Sequence, residues 1–379
     1  MIKIKSDKII VGESLFSGYV YVKNGKIVQV SKTNEECETY DFTDKYVSAG
    51  FIDMHTHGAG GYAFINSSVD DVISASNYHL SFGMTSIVPT VSAAPISVME
   101  SALKNISEAK KSGKAKNNIL GAHLEGPYLS SAQAGAQCPD FITPPQKSDY
   151  ERLINIYGED ITRWTYAPEH DKDGEFAKAL SKHGIIASIG HSDAKYPDVK
   201  TAVESGANLI THLYSCTSTI TRDKGFRSLG VIESAYLLDE LFVEIIADGK
   251  HLPPPLIQMI IKIKGTDKVA LISDSLSIAG TDIKQGEMSG TKFIVEDGVC
   301  KLVDRSAFAG SVATADMLIK TMIECGYSIP TAVKCYTKVP AQILGLNKGE
   351  IKEGMDADII VFDDKIQVSD IFVNGEKVK

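Results

Sequence analysis

Two hydrophobic rhythms run along the chain. Near both ends, short apolar runs are broken by turn residues, whereas the middle alternates apolar runs with stretches of helical periodicity. Tyr19–Val30 is a pair of apolar-rich runs around Asn24-Gly25. Ile371–Val378 repeats the arrangement around Asn374-Gly375, after a strand candidate at Asp358–Phe362. Asn-Gly between such runs signals a hairpin, because both residues tolerate the positive φ of a type I′ turn. The pattern predicts one small β-sandwich domain assembled from residues 1–48 and 346–379.

Residues 49–345 carry eight strand candidates: Gly50–His55, Thr85–Thr90, Ile119–Glu125, Arg163–Glu169, Ile185–His191, Leu209–Tyr214, Phe242–Asp248 and Val269–Asp274. Helical patterns lie between them, among them Val69–Phe82, Ile96–Lys111, Glu175–His183 and Pro254–Lys264. Apolar strands with helical crossovers predict an α/β fold, a (β/α)8 TIM-like barrel. The competing arrangement is a doubly wound open sheet, which calls for a phosphate-binding glycine loop after its first strand. Gly58-Ala-Gly-Gly61 follows a strand but lacks that spacing, and reads better as a barrel-top loop.

Composition narrows the class of partner. The 379 residues are 43% hydrophobic and 23% charged, as in ordinary soluble domains. A net charge of −9 argues against nucleic acid as the main partner, because counterion release needs a basic surface. A small anionic substrate needs only a local cationic pocket and stays open. No apolar run approaches a membrane span, and Met1–Val11 lacks the continuous apolar stretch of a secretory signal. Cys37, Cys138, Cys216, Cys300, Cys325 and Cys335 form no CxxC pair. Their wide spacing reads as reduced thiols and predicts a cytoplasmic protein.

Candidate chemistry gathers at the strand ends, which in a barrel form the active-site face. His55 and His57 sit two apart at the end of the first strand, so both imidazoles share a face. Glu125 ends the third strand, where Gly126-Pro127 stops it. His191 ends the fifth, His212 the sixth and Asp274 the eighth. Each residue alone is equally well a polar group satisfied at a turn; together they form a set able to grip a cation. Imidazole with carboxylate suits zinc or iron better than the oxygen shells of calcium or magnesium. His123, deeper on the third strand, reads as packing, and His79, His170 and His183 as packing or surface residues.

With these residues in view, the chain resembles the amidohydrolase superfamily, and within it the N-acetylglucosamine-6-phosphate deacetylases, over nearly its whole length. The strings that carry the resemblance are Gly50-Phe-Ile-Asp53 with the His55/His57 pair, Leu124-Glu-Gly-Pro127, Gly190-His-Ser192, Thr211-His-Leu-Tyr214, Ala247-Asp-Gly-Lys-His251 and Ala309-Gly-Ser311. The resemblance implies metal-dependent deacetylation of N-acetylglucosamine 6-phosphate, yielding acetate and glucosamine 6-phosphate. Glu125, His191 and His212 would hold one ion, His55 and His57 allow a second, and Asp274 would be the general base. The fourth strand carries no lysine, which disfavours relatives whose metals are bridged by a carbamylated lysine there.

For the substrate, the resemblance implies contacts from His251, Gln137, Ser215, Cys216, Ala309 and Gly310. It also implies a homodimer in which Arg227, in Arg227-Ser-Leu-Gly230, reaches the phosphate in the neighbouring subunit, with Arg222 as a rival for that role. This chain departs from the family pattern in four places. Ser215-Cys-Thr217 stands where Asn-Ala-Met is usual, and Gln137 where a His is usual. Ser273 and Ser275 replace Thr and Ala, and the loop before Arg227 is longer. The departures leave N-acetylgalactosamine 6-phosphate open as an alternative substrate. A non-catalytic barrel protein is a further alternative that the intact ligand set opposes.

Overall fold

A strand covered on both faces has to be apolar, or satisfied internally, at every residue. The computed structural model, which describes residues 1–379, shows eight such strands. Phe51–Thr56 and Met84–Ser92 are buried throughout. The remaining six are Ala122–Glu125, led by Asn118–Ile119, then Ile161–Tyr166, Ile186–Ile189, Leu209–Ile210, Phe242–Ile245 and Val269–Leu271. Each lies parallel to the next. The third is split at Gly121 (φ 142°), where a Cβ would meet Thr162 Oγ1 at 2.3 Å.

The ring closes between its last and first strands. Asp274 N donates to His55 O and His57 N donates to Ser275 O, both at 2.9 Å. Below these bonds, Asp53 Oδ1 accepts from the backbone of His55 at 3.1 Å and of Ser273 at 3.4 Å. Closure excludes the open doubly wound sheet. Helices Val69–Leu80, Ile96–Ser112, Lys147–Tyr157, Glu175–Lys182, Tyr196–Glu204, Val231–Leu237 and Pro254–Lys264 form the outer layer, completed by Ala315–Glu324, Ile329–Tyr336 and Lys338–Ile343. Local chemistry sets their ends. Ser68 and Asp71 form a capping box on the first helix, and Gly113 (φ 63°) stops the second. The strands are shorter than their apolar runs. The fourth ends at Tyr166, because Pro168–His170 turns into a 3-10 helix.

An antiparallel sheet of four strands, Gln285–Met288, Thr291–Glu296, Val299–Leu302 and Phe308–Gly310, is inserted after the eighth barrel strand. It leaves and rejoins the barrel at one point, where Leu276 N donates to Ser311 O and Ser311 N to Asp274 O. Leu276, Ile278, Phe293, Cys300 and Ala309 form its own small core.

The chain ends make one sheet of eight strands. Glu376–Lys377, Val368–Val373, Ile359–Phe362, Tyr46–Ala49, Ile2–Val11, Ser14–Lys23 and Lys26–Ser31 run in that order, and Glu38–Asp41 also pairs with Ile2–Val11. Ile2–Val11 bulges between Ser6 and Ile9, which lets two different strands share its free edge. Both Asn-Gly turns have positive φ, 51° and 73° at Asn24-Gly25, 51° and 79° at Asn374-Gly375. They pack against each other, and Ala357 N donates to Gly25 O while Gly375 N donates to Ala357 O. One face of the sheet buries Ile4, Val20, Ile27, Val47 and Phe372; Ile360, Phe362 and Ile371 join the barrel core.

Candidate metal centre

The first barrel strand presents His55 and His57 on one face, with their Nε2 atoms 3.3 Å apart. His191, His212 and Asp274 reach the same point by another route. Each follows the end of its strand in left-handed backbone, with φ of 47°, 29° and 46°. That conformation costs a non-glycine residue about 1–3 kcal/mol and persists where the surroundings impose it. At Asp274 the surroundings are the two backbone bonds, to His55 and Ser311, that close the ring and anchor the inserted sheet.

Glu125 is the hub. Its Oε1 lies 3.0 Å from His212 Nε2, 3.2 Å from His191 Nε2 and 3.4 Å from His55 Nε2; its Oε2 lies 3.3 Å from His57 Nε2. Asp274 Oδ1 stands 3.2 Å from His57 Nε2 and 3.3 Å from His55 Nε2. The ligand atoms fall into two overlapping triads, His55 with Glu125 and His212, and His55 with His57 and Asp274. His191 joins the first through Glu125.

The outer nitrogens show what this set is suited to hold. His191 Nδ1 faces Gln133 O at 3.0 Å and His212 Nδ1 faces Ser215 O at 3.1 Å. A carbonyl oxygen only accepts, so each ring carries a proton on Nδ1 and turns Nε2 toward a carboxylate. Nitrogen and carboxylate oxygen approach to 3 Å only with positive charge between them, a proton or a metal ion. Burial opposes charge on His55, yet Glu125 and Asp274 outweigh it and raise His55 to about 10. Glu125 is likewise held well below the carboxylate range against burial, by His55 first. A site that draws cationic charge into a dry interior through imidazoles and carboxylates fits a divalent metal ion.

Support for the cluster comes from residues that the strand-end pattern did not single out. Arg163 and Glu244 form a fully buried ion pair across the barrel beneath it. Glu244 Oε2 lies 3.8 Å from His55 Nδ1, and Arg163 Nη2 donates to Thr211 Oγ1 at 2.9 Å. Asp53, pushed up to about 6 by burial, accepts from Tyr336 Oη at 2.9 Å. Their signal in the sequence is a charge inside an otherwise apolar strand. Ser92 Oγ holds His57 Nδ1 at 3.0 Å. His123 bonds Thr90 and Thr165 below the cluster, and His79 bonds Thr56 Oγ1; both are buried packing residues. His170 and His183 are exposed.

Above the cluster opens a cavity of about 320 Å³, walled by barrel-top loops and by the inserted sheet. His251, Ser215, Cys216, Ala309 and Gly310 line it, as does Phe308, packed edge-on against His251 at 4.9 Å. His251 Nδ1 is tied to Asp248 Oδ2 at 2.8 Å, which leaves Nε2 for a ligand. Gln137 also lines the cavity, but its amide is spent within the protein: Nε2 donates to Glu125 Oε2 at 2.8 Å and Oε1 accepts from Ala93 N at 2.9 Å. Arg227 and Arg222 stand outside. They face each other across a short exposed hairpin, Thr221–Asp223 with Phe226–Ser228, and the cavity wall of this chain contains no Lys or Arg.

Comparison with known proteins places this geometry. The model of the Amidohydrolase family matches residues 46–378. The N-acetylglucosamine-6-phosphate deacetylase of Haemophilus influenzae is 31% identical over 94% of this chain and 94% of its own; that of Bacillus subtilis is 31% identical over 94% and 91%. Among solved structures, N-acetylglucosamine-6-phosphate deacetylase from Pasteurella multocida superposes with a TM-score of 0.92 at 28% identity, covering 99% of both chains. A mutant of the Mycobacterium smegmatis deacetylase in complex with N-acetyl-D-glucosamine-6-phosphate gives 0.92 at 25%, covering 100% and 99%. No helix is long and apolar enough to cross a membrane.

Proposed function

The chain belongs to the amidohydrolase family, and on that footing we infer that it deacetylates N-acetylglucosamine 6-phosphate to glucosamine 6-phosphate and acetate, a step of amino-sugar breakdown or recycling. One observation carries the reading: Glu125, His191 and His212 meet His55, His57 and Asp274 at the floor of one cavity. Glu125, His191 and His212, with His55 and His57, would hold a divalent ion, zinc or iron, one or two per subunit, which when bound would supply Lewis acidity for an amide carbonyl and for a water whose pKa it would bring down toward ~7. Asp274 takes the proton of the attacking water and returns it to the departing amine, without which the C–N bond does not break productively. His251, oriented by Asp248, contacts the substrate beside the reacting carbonyl.

The sugar phosphate brings negative charge to a cavity whose own wall offers no lysine or arginine. We propose that Arg227 of a second subunit supplies it in a homodimer, with a planar guanidinium suited to two charge-assisted bonds. The exposure of Arg227 beside Phe226, itself 80% exposed, supports a hairpin that docks elsewhere. Residues 49–345 would form the catalytic unit, and 1–48 with 346–379 the small one. Six free cysteines suit the reducing cytoplasm.

The test is metal quantification on the purified protein together with acetate release from N-acetylglucosamine 6-phosphate and N-acetylgalactosamine 6-phosphate. Metal with acetate from the first supports the reading. Preference for the second sugar would move the substrate without moving the chemistry, and a metal-loaded protein that releases no acetate from either would sink it.

A further inference from the structure

Behind the metal centre lies a second cavity of about 130 Å³, between the loop after the first barrel strand and the inserted sheet. Two residues, His57 and Met288, line both this cavity and the one above the cluster. Met288 ends the strand Gln285–Met288, and its Sδ accepts from Ser92 Oγ at 3.4 Å, so the thioether stands between the two spaces. Ile65, Leu276 and Phe293, all buried, form the rest of its apolar side together with Ala63, and Asn66, Ser277 and Ser289 line the other side. The exposed Glu287 marks its outer end.

Resting on the deacetylase reading, we propose that this cavity lies on the acyl side of the scissile amide, and that Met288 is the residue that limits the acyl group to a short one. The placement follows from His57. A group bonded to the carbonyl carbon at the cluster can extend past His57, while the amine and its sugar occupy the larger cavity. Chemistry selects the occupant. The cavity's polar side is serine and asparagine with no lysine or arginine, and a carboxylate stands at the rim, so it disfavours a phosphate or departing acetate; the buried corner of Ile65, Leu276 and Phe293 beside Met288 suits a short uncharged hydrocarbon tail. The volume approaches the roughly 150 Å³ of an apolar cavity that admits benzene, enough for several methylenes. Methionine is unbranched and deformable, so the barrier it forms is steric and graded.

The reaction is unchanged by chain length: water adds across the C–N bond, the acyl carbon leaves as a carboxylate and the nitrogen as an amine. The experiment uses the full-length, metal-loaded enzyme with glucosamine 6-phosphate bearing N-acetyl, N-propionyl, N-butyryl and N-hexanoyl groups. In the unaltered enzyme kcat/KM should fall with acyl length, since one methylene in a fitted apolar pocket is worth about 10- to 200-fold. Met288→Ala should raise the butyryl-to-acetyl ratio of kcat/KM by about 10-fold or more. Adding Leu276→Phe should reverse that gain by refilling the space. Met288→Val, a milder change, provides an intermediate ratio should the alanine variant fold poorly.

An unaltered enzyme that takes butyryl as well as acetyl overturns the proposal. So does an unchanged ratio in metal-replete Met288→Ala and Met288→Val variants that still release acetate. Failure of the unaltered enzyme on the acetyl substrate is a different failure, of the deacetylase reading itself.

Discussion

Gln137 donates its side-chain amide to Oε2 of Glu125 at 2.8 Å, and so braces the one carboxylate that faces all four histidines of the cluster. Hydrogen bonds behind a metal ligand are worth about 10–100-fold in affinity or activity. Gln137→Leu is expected to weaken metal retention by that factor, with turnover recovering on added zinc. Metal per chain after dialysis against graded chelator reads this directly. Unchanged retention would mean that Glu125 holds its orientation unaided.

Asp274→Asn preserves shape and leaves the backbone bonds to His55 and Ser311 in place, but the amide cannot carry the proton. Turnover should drop by about 10²–10⁴, the usual reach of general acid–base catalysis. Metal held through Glu125, His191 and His212 should remain. Acetate release measured alongside metal content separates the two, and near-normal turnover would remove Asp274 from the chemistry.

Arg227→Ala should raise KM for the phosphorylated sugar by about 10- to 150-fold, the worth of hydrogen bonds to a charged group at about 1.5–3 kcal/mol. Arg222→Ala should change it little. Mixing Arg227→Ala with Asp274→Asn chains should restore a low-KM activity that neither shows alone, because one site of the mixed dimer regains both groups. Equal effects of the two arginines, or no complementation, would remove the shared site.

Glu244 partners Arg163 where neither side chain meets solvent. Glu244→Leu strands a buried guanidinium and should cost about 3–5 kcal/mol, read as a loss in chemical denaturation. Arg163→Met added to it should recover most of that loss, because the pair's own net worth is small. A double variant as unstable as the single one would show that the pair is needed for more than mutual neutralisation.

His79 gives stability a pH dependence of known sign. Burial lowers its pKa from 6.5 to about 4, so the folded protein keeps the ring neutral where the unfolded chain takes a proton. This group costs nothing above pH 6.5; its contribution is lost progressively as pH falls from 6.5 to about 4, to a total of about 3 kcal/mol. His79→Gln should flatten that part of the stability profile, measured by denaturant unfolding at pH 7.5 and 4.5. An identical profile in the variant would assign the acid loss to carboxylates.

Much of this was legible because barrels write their active site in a local code. His191, His212, Glu125 and Asp274 each terminate an apolar run, and a polar residue at such a point has a short list of physical reasons to exist. The two terminal hairpins were legible for a similar reason, through Asn-Gly. The inserted sheet uses the same grammar at Asp297-Gly298, with φ of 55° and 80°, between Thr291–Glu296 and Val299–Leu302. It lies where the barrel pattern calls for a helix, so its strands carry no signal of their own in the βα alternation. Other facts are nonlocal. That Asp274 stands against His55 and His57 depends on the ring closing, and that Gln137 spends its amide on Glu125 depends on how a loop folds back. Arg163 and Glu244 look like errors in apolar strands until the barrel sets them face to face.

The sheet at the chain ends has a consequence for biosynthesis. Tyr46–Ala49 pairs with Ile359–Phe362, so one edge emerges from the ribosome with its partner still untranslated. At about 5–20 residues per second the wait is on the order of 15–60 s. Throughout it, an unpaired strand edge is exposed to other nascent chains. The two asparagine-glycine corners meet only after the whole barrel has been translated, as a clasp that fastens late. A chain truncated before Ile359 would therefore be left with a permanently adhesive edge.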